Sequence, residues 1–534
     1  MELTMDHLNI IITKIQSRIL ESKSRNTILS IGTAVSLVIL YSAYDKIAKP
    51  PKNLRHIRHV NFLSYLLRMV QKKPLGQISR ELTVPLLDPK TGEMYLKRDR
   101  LGWTVNIANP EAAKTFFLKT DLYPKASFTH QSGTLFHDFL GDGNILFANS
   151  KTEWMKHRKL ANPAFHRSMP VKLFAQLSHK VFKVIDEKIE QPILITDMME
   201  RFTLDAIGLA GFDFDFNSIL DRNSEWVDNY AQIKYGLSQP VFFLFPWLEK
   251  NFLWLFPGRR EQHKQMQKYH KMLEGIITKK RLTLKRQYQQ NNGQGLDDDA
   301  EKDLLTLMLE SELSGEGILT DEELKSDLNV FFLAGHDTTA NALSFAIHAL
   351  ARDPALQQRA RDEAIAVLGD APEDVYPTLD DIKKFDFISQ IMKENLRLHG
   401  PATGGLPRRV AEDTELGGHF LPKGTPVVVN IYDTHHNPHV WKDPERFDAD
   451  RFAPGGEAEQ HVRGGMAWIP FYSGQRMCIG MNFSINEQKV MLPNLLRKYE
   501  WWLPEDSIHK ENVITGTVGI LSPKDLKIVF KRRY

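Results

Sequence analysis

A proline-free stretch that begins at Thr320 constrains the fold of this chain more than any other feature. Glu323 follows Thr320 at the spacing of a capping box, which starts a helix. No proline occurs between Thr320 and Pro354, so one helix can continue as far as Arg352. With a rise of 1.5 Å per residue, such a helix is about 48 Å long. The sequence therefore predicts a helix long enough to cross a whole domain.

The middle of this helix contains residues that form helices poorly, in the run Ala-Gly-His-Asp-Thr-Thr at 334–339. Gly335 alone costs about 1 kcal/mol relative to alanine, which suggests a compensating function. The small residues Ala334 and Gly335 would let the helix pass close over a flat cofactor. A threonine hydroxyl that bonds back to a carbonyl would open the turn into a groove. The alternative is a kinked helix that exposes polar residues.

Cys478 is the only cysteine of the chain, and it lies in the stretch Phe-Tyr-Ser-Gly-Gln-Arg-Met-Cys-Ile-Gly at 471–480. A single cysteine is most often a small buried hydrophobe. Here Gly474 and Gly480 allow a tight turn and close approach to the backbone, and Arg476 precedes the sulfur by two residues. A metal-bound thiolate needs backbone N–H donors. Haem would supply both an iron for the sulfur and propionates for the arginine.

Composition excludes other classes of protein. Lysine and arginine exceed aspartate and glutamate by only three charges, and no basic tract with interleaved aromatic residues occurs. Nucleic-acid binding is therefore not indicated. One cysteine cannot form an internal disulfide and fits a reducing compartment.

The spacing Phe-x-x-Gly-x-Arg-x-Cys-x-Gly, complete from Phe471 to Gly480, resembles the haem-binding loop of the cytochrome P450 family. This resemblance implies that Cys478 is the axial ligand of the iron in haem b and that Arg476 pairs with a haem propionate. Phe471 and Gly480 would complete the wall of the loop around the cofactor.

The run at 334–338 similarly resembles the oxygen-activation motif of the same family, (Ala/Gly)-Gly-x-(Asp/Glu)-Thr. The resemblance implies that Ala334 faces the haem, that Asp337 relays protons from solvent and that Thr338 holds oxygen and its water. An anionic sulfur ligand favours cleavage of the O–O bond. The expected reaction is insertion of one oxygen atom into a C–H bond.

Further site residues follow from two shorter resemblances. Trp154 and Arg158 are four residues apart, so they share a helix face. They resemble the family's Trp-x-x-x-Arg pair, which implies contact with a propionate, because a buried anion must be paired. Arg408 matches the family residue that contacts the second propionate by its spacing to Asp413, with Arg409 as the alternative.

A third resemblance concerns the scaffold rather than the chemistry. Glu394 and Arg397 resemble the family's buried Glu-x-x-Arg pair, which a third arginine completes. Arg451 is the partner expected from its position relative to the cysteine loop. Arg446, in a literal Pro-Glu-Arg-Phe at 444–447, is the alternative.

The N-terminal part predicts a membrane anchor. Residues 28–44 form an apolar run with small polar interruptions, and about 17 residues is the lower limit for crossing a bilayer. A buried core helix is the alternative. Lysine and arginine lie on both sides, so a cytosolic C-terminal side is only modestly favoured. We expect an N-terminal segment at 1–45, a basic proline-containing hinge at 46–58 and a catalytic domain at 59–534.

The stretch from Val241 to Pro257 is unusually rich in phenylalanine and tryptophan. These residues either pack in the core or enter the bilayer beside the anchor, where they would form the mouth of an apolar channel.

The resemblance as a whole implies a mainly α fold with a small β-rich region, the cytochrome P450 fold, preceded by one N-terminal transmembrane helix. It implies a membrane-anchored monooxygenase of the endoplasmic reticulum with a cytosolic catalytic domain. The substrate would be lipophilic, such as a steroid or fatty acid.

Neither a Gly-x-Gly-x-x-Gly motif nor a P-loop occurs, so electrons must come from a partner. The resemblance implies an NADPH-dependent diflavin reductase, and cytochrome b5 as a second donor, with basic Lys151, Lys156 and Lys159 facing an acidic partner. Two alternatives are a haem-thiolate isomerase or dehydratase, which needs no reductase, and a non-catalytic haem or lipid carrier. Intact Asp337 and Thr338 disfavour the isomerase or dehydratase.

Overall fold

The computed structural model describes residues 25–126, 132–141, 143–148, 150–166, 169–221, 223–290, 302–314, 319–461, 466–517 and 519–534. Within these ranges most residues are helical, which confirms the mainly α prediction. The α-helices, numbered in chain order, are α1 Arg25–Ala48, α2 Phe62–Val70, α3 Leu75–Ile78, α4 Pro110–Leu118, α5 Leu135–Leu140, α6 Lys151–His166, α7 Val171–Asp186, α8 Ile195–Phe212, α9 Glu225–Leu237, α10 Pro240–Leu244, α11 Pro246–Phe252, α12 Pro257–Gln290, α13 Leu304–Ser314, α14 Asp321–Arg352, α15 Pro354–Leu368, α16 Leu379–Lys383, α17 Asp386–His399, α18 Ile431–His435, α19 Glu457–His461 and α20 Met481–Lys498.

The β-rich part consists of short strands in three sheets. The strands are β1 Met94–Asp99, β2 Gly102–Ile107, β3 Pro192–Leu194, β4 Arg408–Arg409, β5 Thr414–Leu416, β6 His419–Leu421, β7 Pro426–Val429, β8 Tyr499–Trp502 and β9 Lys527–Arg532. The largest sheet has the order β1-β2-β7-β4, and β3-β9-β8 and β5-β6 form the other two. β7 pairs in parallel with β2 and antiparallel with β4, which places Arg408 opposite Val427.

Helix α14 begins and ends as its sequence predicts. The Thr320 hydroxyl accepts the Glu323 N–H, and the Glu323 carboxylate accepts the Thr320 N–H, so the capping box is complete. Buried residues occur all along the helix, from Leu324 to Ala351. It packs against α8, α17 and α20, and this central position explains why such a long helix is stable.

The predicted membrane span at 28–44 lies within α1, and residues 1–24 of the N-terminal segment lie outside the described residues. Among the residues that the structure describes, no helix combines the length and the apolar composition needed to cross a bilayer. The N-terminal transmembrane helix therefore stays a prediction.

The aromatic stretch at 241–257 is partly buried and partly exposed. Phe242 and Leu244 are buried, whereas large apolar side chains nearby remain exposed. The exposed residues are Val241, Trp247, Phe252, Trp254 and Leu255. Core packing therefore accounts for only part of this stretch.

The buried acid–arginine network forms as predicted, with Arg451 as its third member. Arg397 donates Nε and Nη2 to the two oxygens of Glu394 at 2.7 and 2.8 Å, and both side chains are fully buried. Arg451 Nε lies 3.3 Å from Glu394 Oε1. Arg446 is exposed and contributes only its backbone carbonyl, which accepts from Arg397.

We expect Glu394→Gln to destabilise the domain by about 3–5 kcal/mol, because the change leaves buried arginines without their shared counter-charge. Urea unfolding of the purified variant measures this loss. Arg446→Gln is the matched control and should change the free energy of unfolding by less than about 0.5 kcal/mol, as an exposed substitution does. Equal stability of the two variants would contradict the structural role of Glu394.

Candidate functional site

The cysteine loop is closed by its own backbone. The N–H of Cys478 donates to the carbonyl of Phe471 at 3.0 Å. Gly474 has a φ of 70°, and a Cβ added there would lie 3.0 Å from the Phe117 carbonyl oxygen. Gly480 has a φ of −87°, and an added Cβ would meet only Phe165, at 3.8 Å. The turn therefore requires glycine at Gly474, whereas the surrounding protein atoms leave room for a Cβ at Gly480, where close approach of a cofactor stays a prediction.

The Cys478 side chain is accessible to solvent although protein surrounds it closely. This crowding removes water and raises the pKa of the thiol, while the Gly480 N–H and the Arg158 guanidinium act to lower that pKa. Protein groups alone therefore do not hold the sulfur as a thiolate. A bound metal would hold the sulfur as a thiolate, because a coordinating thiol loses its proton.

Trp154 and Arg158 both face the cysteine loop from α6, as their spacing predicts. Arg158 Nη1 donates to the Met477 carbonyl at 3.0 Å. The guanidinium carbon of Arg476 lies 4.4 Å from the centroid of the Trp154 ring, a cation–π contact. Trp154 and Arg158, the two predicted partners of one propionate, thus lie close to Arg476.

Arg408 and Arg409 point to different surroundings. Arg408 is buried, and its Nη1 donates to the carbonyls of Phe116 and Tyr123 at 3.3 and 3.4 Å. Its Nε and Nη2 atoms are buried and have no hydrogen-bond partner in the part of the chain that the structure describes. Arg409 instead donates to the Gly424 carbonyl at 2.9 Å. Of the two alternatives, Arg408 is therefore the one with buried donors that lack a partner among the described residues.

Lys125, which no sequence motif indicated, joins these cations. It forms an isolated β-bridge with Arg408. Burial holds the pKa of Lys125 well below its usual value, and Arg408 and Arg476 lower that pKa further. Burial and Arg408 also lower the pKa of Arg476 to about 10. Mutually repelling cations packed in this way require a counter-anion.

Among the described residues no carboxylate forms an ion pair with Lys125, Arg408 or Arg476, and the only acidic side chain that raises the pKa of Arg476 is Glu153, against the larger effects of burial and Arg408. Arg476 Nη1, like two Arg408 nitrogens, is buried and has no hydrogen-bond partner within the described ranges. Two propionates beside a thiol ligand would supply the missing charge and acceptors. The residues present therefore fit a haem.

On α14, Thr338 and Ala334 border open space. Ala334 is exposed and Thr338 partly exposed, although their neighbours on the helix are mostly buried. Thr338 Oγ1 donates to the Ala334 carbonyl at 2.6 Å. The bond agrees with the prediction, but α14 remains α-helical throughout, so the expected opening of the turn is absent. Thr339 is buried and donates to Ser484 Oγ at 2.9 Å.

Gly335 serves helix packing rather than close approach to a cofactor. A Cβ added at Gly335 would lie 3.0 Å from the Ile207 side chain on α8. Because successive helix residues are rotated by about 100°, Gly335 faces α8 while Ala334 faces the open side. The prediction that both small residues serve the cofactor is wrong for Gly335.

Asp337 lies in a buried network on the α9 side of α14. Tyr230 donates its hydroxyl to Asp337 Oδ2 at 2.8 Å, and Lys234 Nζ lies 3.4 Å from Oδ1. Burial opposes ionisation of Asp337, but Lys234 and then His336 outweigh it and lower the pKa of the carboxyl. Asp337 is therefore ionised at neutral pH.

This network leads towards the surface. Lys234 Nζ lies 2.6 Å from Glu200 Oε1, and these side chains are 35% and 26% exposed, against 1% for Asp337. The sequence identified Asp337 but not Lys234, Glu200 or Tyr230. These residues lie on other helices, at spacings that match no motif.

Comparisons with known proteins agree with this geometry. A family model described as Cytochrome P450 matches residues 62–530. Cytochrome P450 4F5 of Rattus norvegicus is 32% identical over 385 residues, which cover 69% of this chain and 70% of that protein. Cytochrome P450 4A11 of Homo sapiens is 30% identical over 405 residues, which cover 74% of each. The solved cytochrome P450DA heme domain superposes with a TM-score of 0.72 at 22% identity, covering 90% of this chain and 98% of that domain, which shows the same fold.

Proposed function

Since this chain belongs to the cytochrome P450 family, we propose that it hydroxylates a lipophilic substrate, with Cys478 as the haem ligand. Its enzyme class is monooxygenase, and its cofactors are haem b and NADPH, whose electrons arrive through a reductase. The observation that carries the proposal is the cluster of unpaired cations beside the only thiol of the chain.

The protein would hold the cofactor at two places, the iron and the two propionates. Cys478 would bind the iron, within the loop that Phe471 and Gly480 bound. The propionates would accept hydrogen bonds from donors on four segments, of which only the tryptophan is uncharged: Lys125, Trp154, Arg158, Arg408 and Arg476. When bound, haem with a thiolate ligand supplies reductive activation of oxygen. Ala334 would lie against its open face.

Protons would reach the site through the network on α14. Glu200 and Lys234 exchange protons with solvent, because both are partly exposed. Asp337, ionised beside Lys234, accepts a proton at a carboxylate oxygen and passes it on. Thr338 holds water at the open face of the helix, where its hydroxyl is fixed by the Ala334 carbonyl. This route assigns Asp337 to proton supply and Thr338 to positioning.

Exposed apolar surfaces support a lipophilic substrate and a site of action at the endoplasmic reticulum membrane. On α2, Leu63, Leu67 and Val70 are more than half exposed. The segment from α10 to the turn that follows α11 carries exposed Trp247 and Trp254. The two elements are adjacent, since the rings of Phe62 and Phe245 contact each other. Exposed apolar side chains on neighbouring elements suit contact with a bilayer, from which the substrate would enter.

The partner would be an NADPH-dependent diflavin reductase on the same membrane, with cytochrome b5 as a second electron donor. Exposed Lys151 and Lys159 on α6 support an acidic partner surface near the cysteine loop. Lys156 contributes less to such a surface, because it pairs with Glu323 at 2.9 Å.

We expect the purified protein, mixed with the reductase and NADPH, to add one oxygen atom to members of a library of steroids and fatty acids. Mass spectrometry of the products measures this reaction. Omission of NADPH is the control and should abolish product. Conversion without NADPH would instead indicate an isomerase or dehydratase, and no conversion with bound haem would indicate a carrier.

A further inference from the structure

Tyr472 has a backbone conformation that tyrosine rarely adopts. It follows Phe471 in the cysteine loop and has a φ of 65°. Among the described non-glycine residues with positive φ, it is the only aromatic one. Such a conformation costs about 1 kcal/mol or more for a bulky side chain. Strain of this kind persists only where the surroundings fix it, so the Tyr472 side chain is held in a particular place.

The position of the ring depends on two neighbours. A Cβ added at Gly405 would lie 2.1 Å from a Tyr472 ring atom, so only glycine leaves room for the ring there. On another side, the Phe117 ring packs edge-on with its centroid at 4.5 Å. The loop, the Gly405 backbone and α4 thus enclose the phenol together.

The hydroxyl of Tyr472 is buried and has no hydrogen-bond partner among the described residues. A buried hydroxyl without a partner is costly, so a missing acceptor is indicated. Burial raises the pKa of Tyr472 to about 12, although Arg408 acts against it. The phenol therefore keeps its proton and is available as a donor at neutral pH.

The cationic neighbours of Tyr472 do not supply a hydrogen-bond acceptor for its hydroxyl. Lys125 Nζ lies 5.8 Å from the ring centroid, and Lys125 is bridged to Arg408, whose Nε and Nη2 are also unpartnered. Cations only donate hydrogen bonds, so they cannot accept the O–H of a phenol. One anion with several acceptor oxygens would satisfy all three residues.

We propose that the Tyr472 hydroxyl donates a hydrogen bond to a carboxylate bound beside Lys125 and Arg408, and that this carboxylate is a haem propionate. The proposal rests on the haem cofactor but adds a residue that the motif does not include, since the motif leaves this position open. A carboxylate of the substrate has the same chemistry and is the second source to test. Tyr472 binds the cofactor edge and takes no part in proton supply.

The test compares holoenzymes. We expect Tyr472→Phe to keep the thiolate-type absorption of the reduced carbon monoxide complex, but to transfer haem to excess apomyoglobin about tenfold faster. Tyr269→Phe is the matched control, because it removes another buried phenol hydroxyl without a partner, far along the chain on α12. It should leave the rate of haem transfer unchanged. If the wild-type protein itself showed no thiolate-type absorption, the proposed function would be refuted, separately from this inference.

A second pair of measurements identifies the carboxylate. In proteins reconstituted with the dimethyl ester of haem, the difference between wild type and Tyr472→Phe should disappear if the partner is a propionate. If the haem transfer rates are equal with normal haem, but Tyr472→Phe weakens binding of dodecanoate relative to its methyl ester, the carboxylate belongs to the substrate and the propionate assignment is wrong. Equal behaviour in both measurements would overturn the carboxylate site.

Discussion

Cys478→Ser is expected to reduce monooxygenase activity to background and to abolish the thiolate-type absorption of the reduced carbon monoxide complex. The chain has no second cysteine that could replace the ligand. A serine hydroxyl does not ionise at neutral pH, and a neutral oxygen does not donate electron density to iron as a thiolate does. The loop itself should persist, because the bond that closes it joins the Cys478 N–H to Phe471 and does not involve the sulfur.

Difference spectra of the reduced protein with carbon monoxide measure this effect, together with product formation in the presence of reductase. Met477→Leu is the matched control: it changes the adjacent exposed side chain but keeps the carbonyl that accepts from Arg158. This control should retain the thiolate-type band. Retention of the same band in Cys478→Ser would exclude Cys478 as the ligand.

The parts of the site that the sequence predicted are those set by local spacing. The capping box of α14 depends on residues three apart, and the shared face of Trp154 and Arg158 depends on one helical turn. The cysteine loop is similarly a continuous stretch whose backbone bonds close on itself. In each case, the interacting groups are near in the chain, so a pattern of residue types determines the geometry.

The parts that the sequence did not predict depend on packing between distant segments. Lys125 becomes a site residue only because a β-bridge sets it beside Arg408. Gly335 faces α8 because of the particular approach of Ile207, which no spacing within α14 reveals. The choice between Arg408 and Arg409 likewise required β4 to be paired with β7. Family motifs predicted the reacting groups but not the charged groups that lie around them.

Thr338→Ala is expected to separate oxygen consumption from product formation. Without the hydroxyl, water at the open face of α14 is no longer held where a proton can be delivered. NADPH and oxygen should still be consumed, but product formed per NADPH should fall about tenfold or more, the scale of a lost positioned proton donor. The reduced oxygen should leave as hydrogen peroxide.

Parallel measurement of NADPH oxidation, product and hydrogen peroxide tests this expectation. Thr339→Ala is a closely matched control, because Thr339 is the same residue type one position further on but is buried and bonded to Ser484. It should keep the wild-type ratio of product to NADPH, although it removes a hydrogen bond of the core. Thr338→Ser should restore much of that ratio, since a serine hydroxyl can also donate to the Ala334 carbonyl. If Thr338→Ala and Thr339→Ala had the same ratio as the wild type, Thr338 would have no part in proton delivery, and the water would have to be held by the Asp337 network alone.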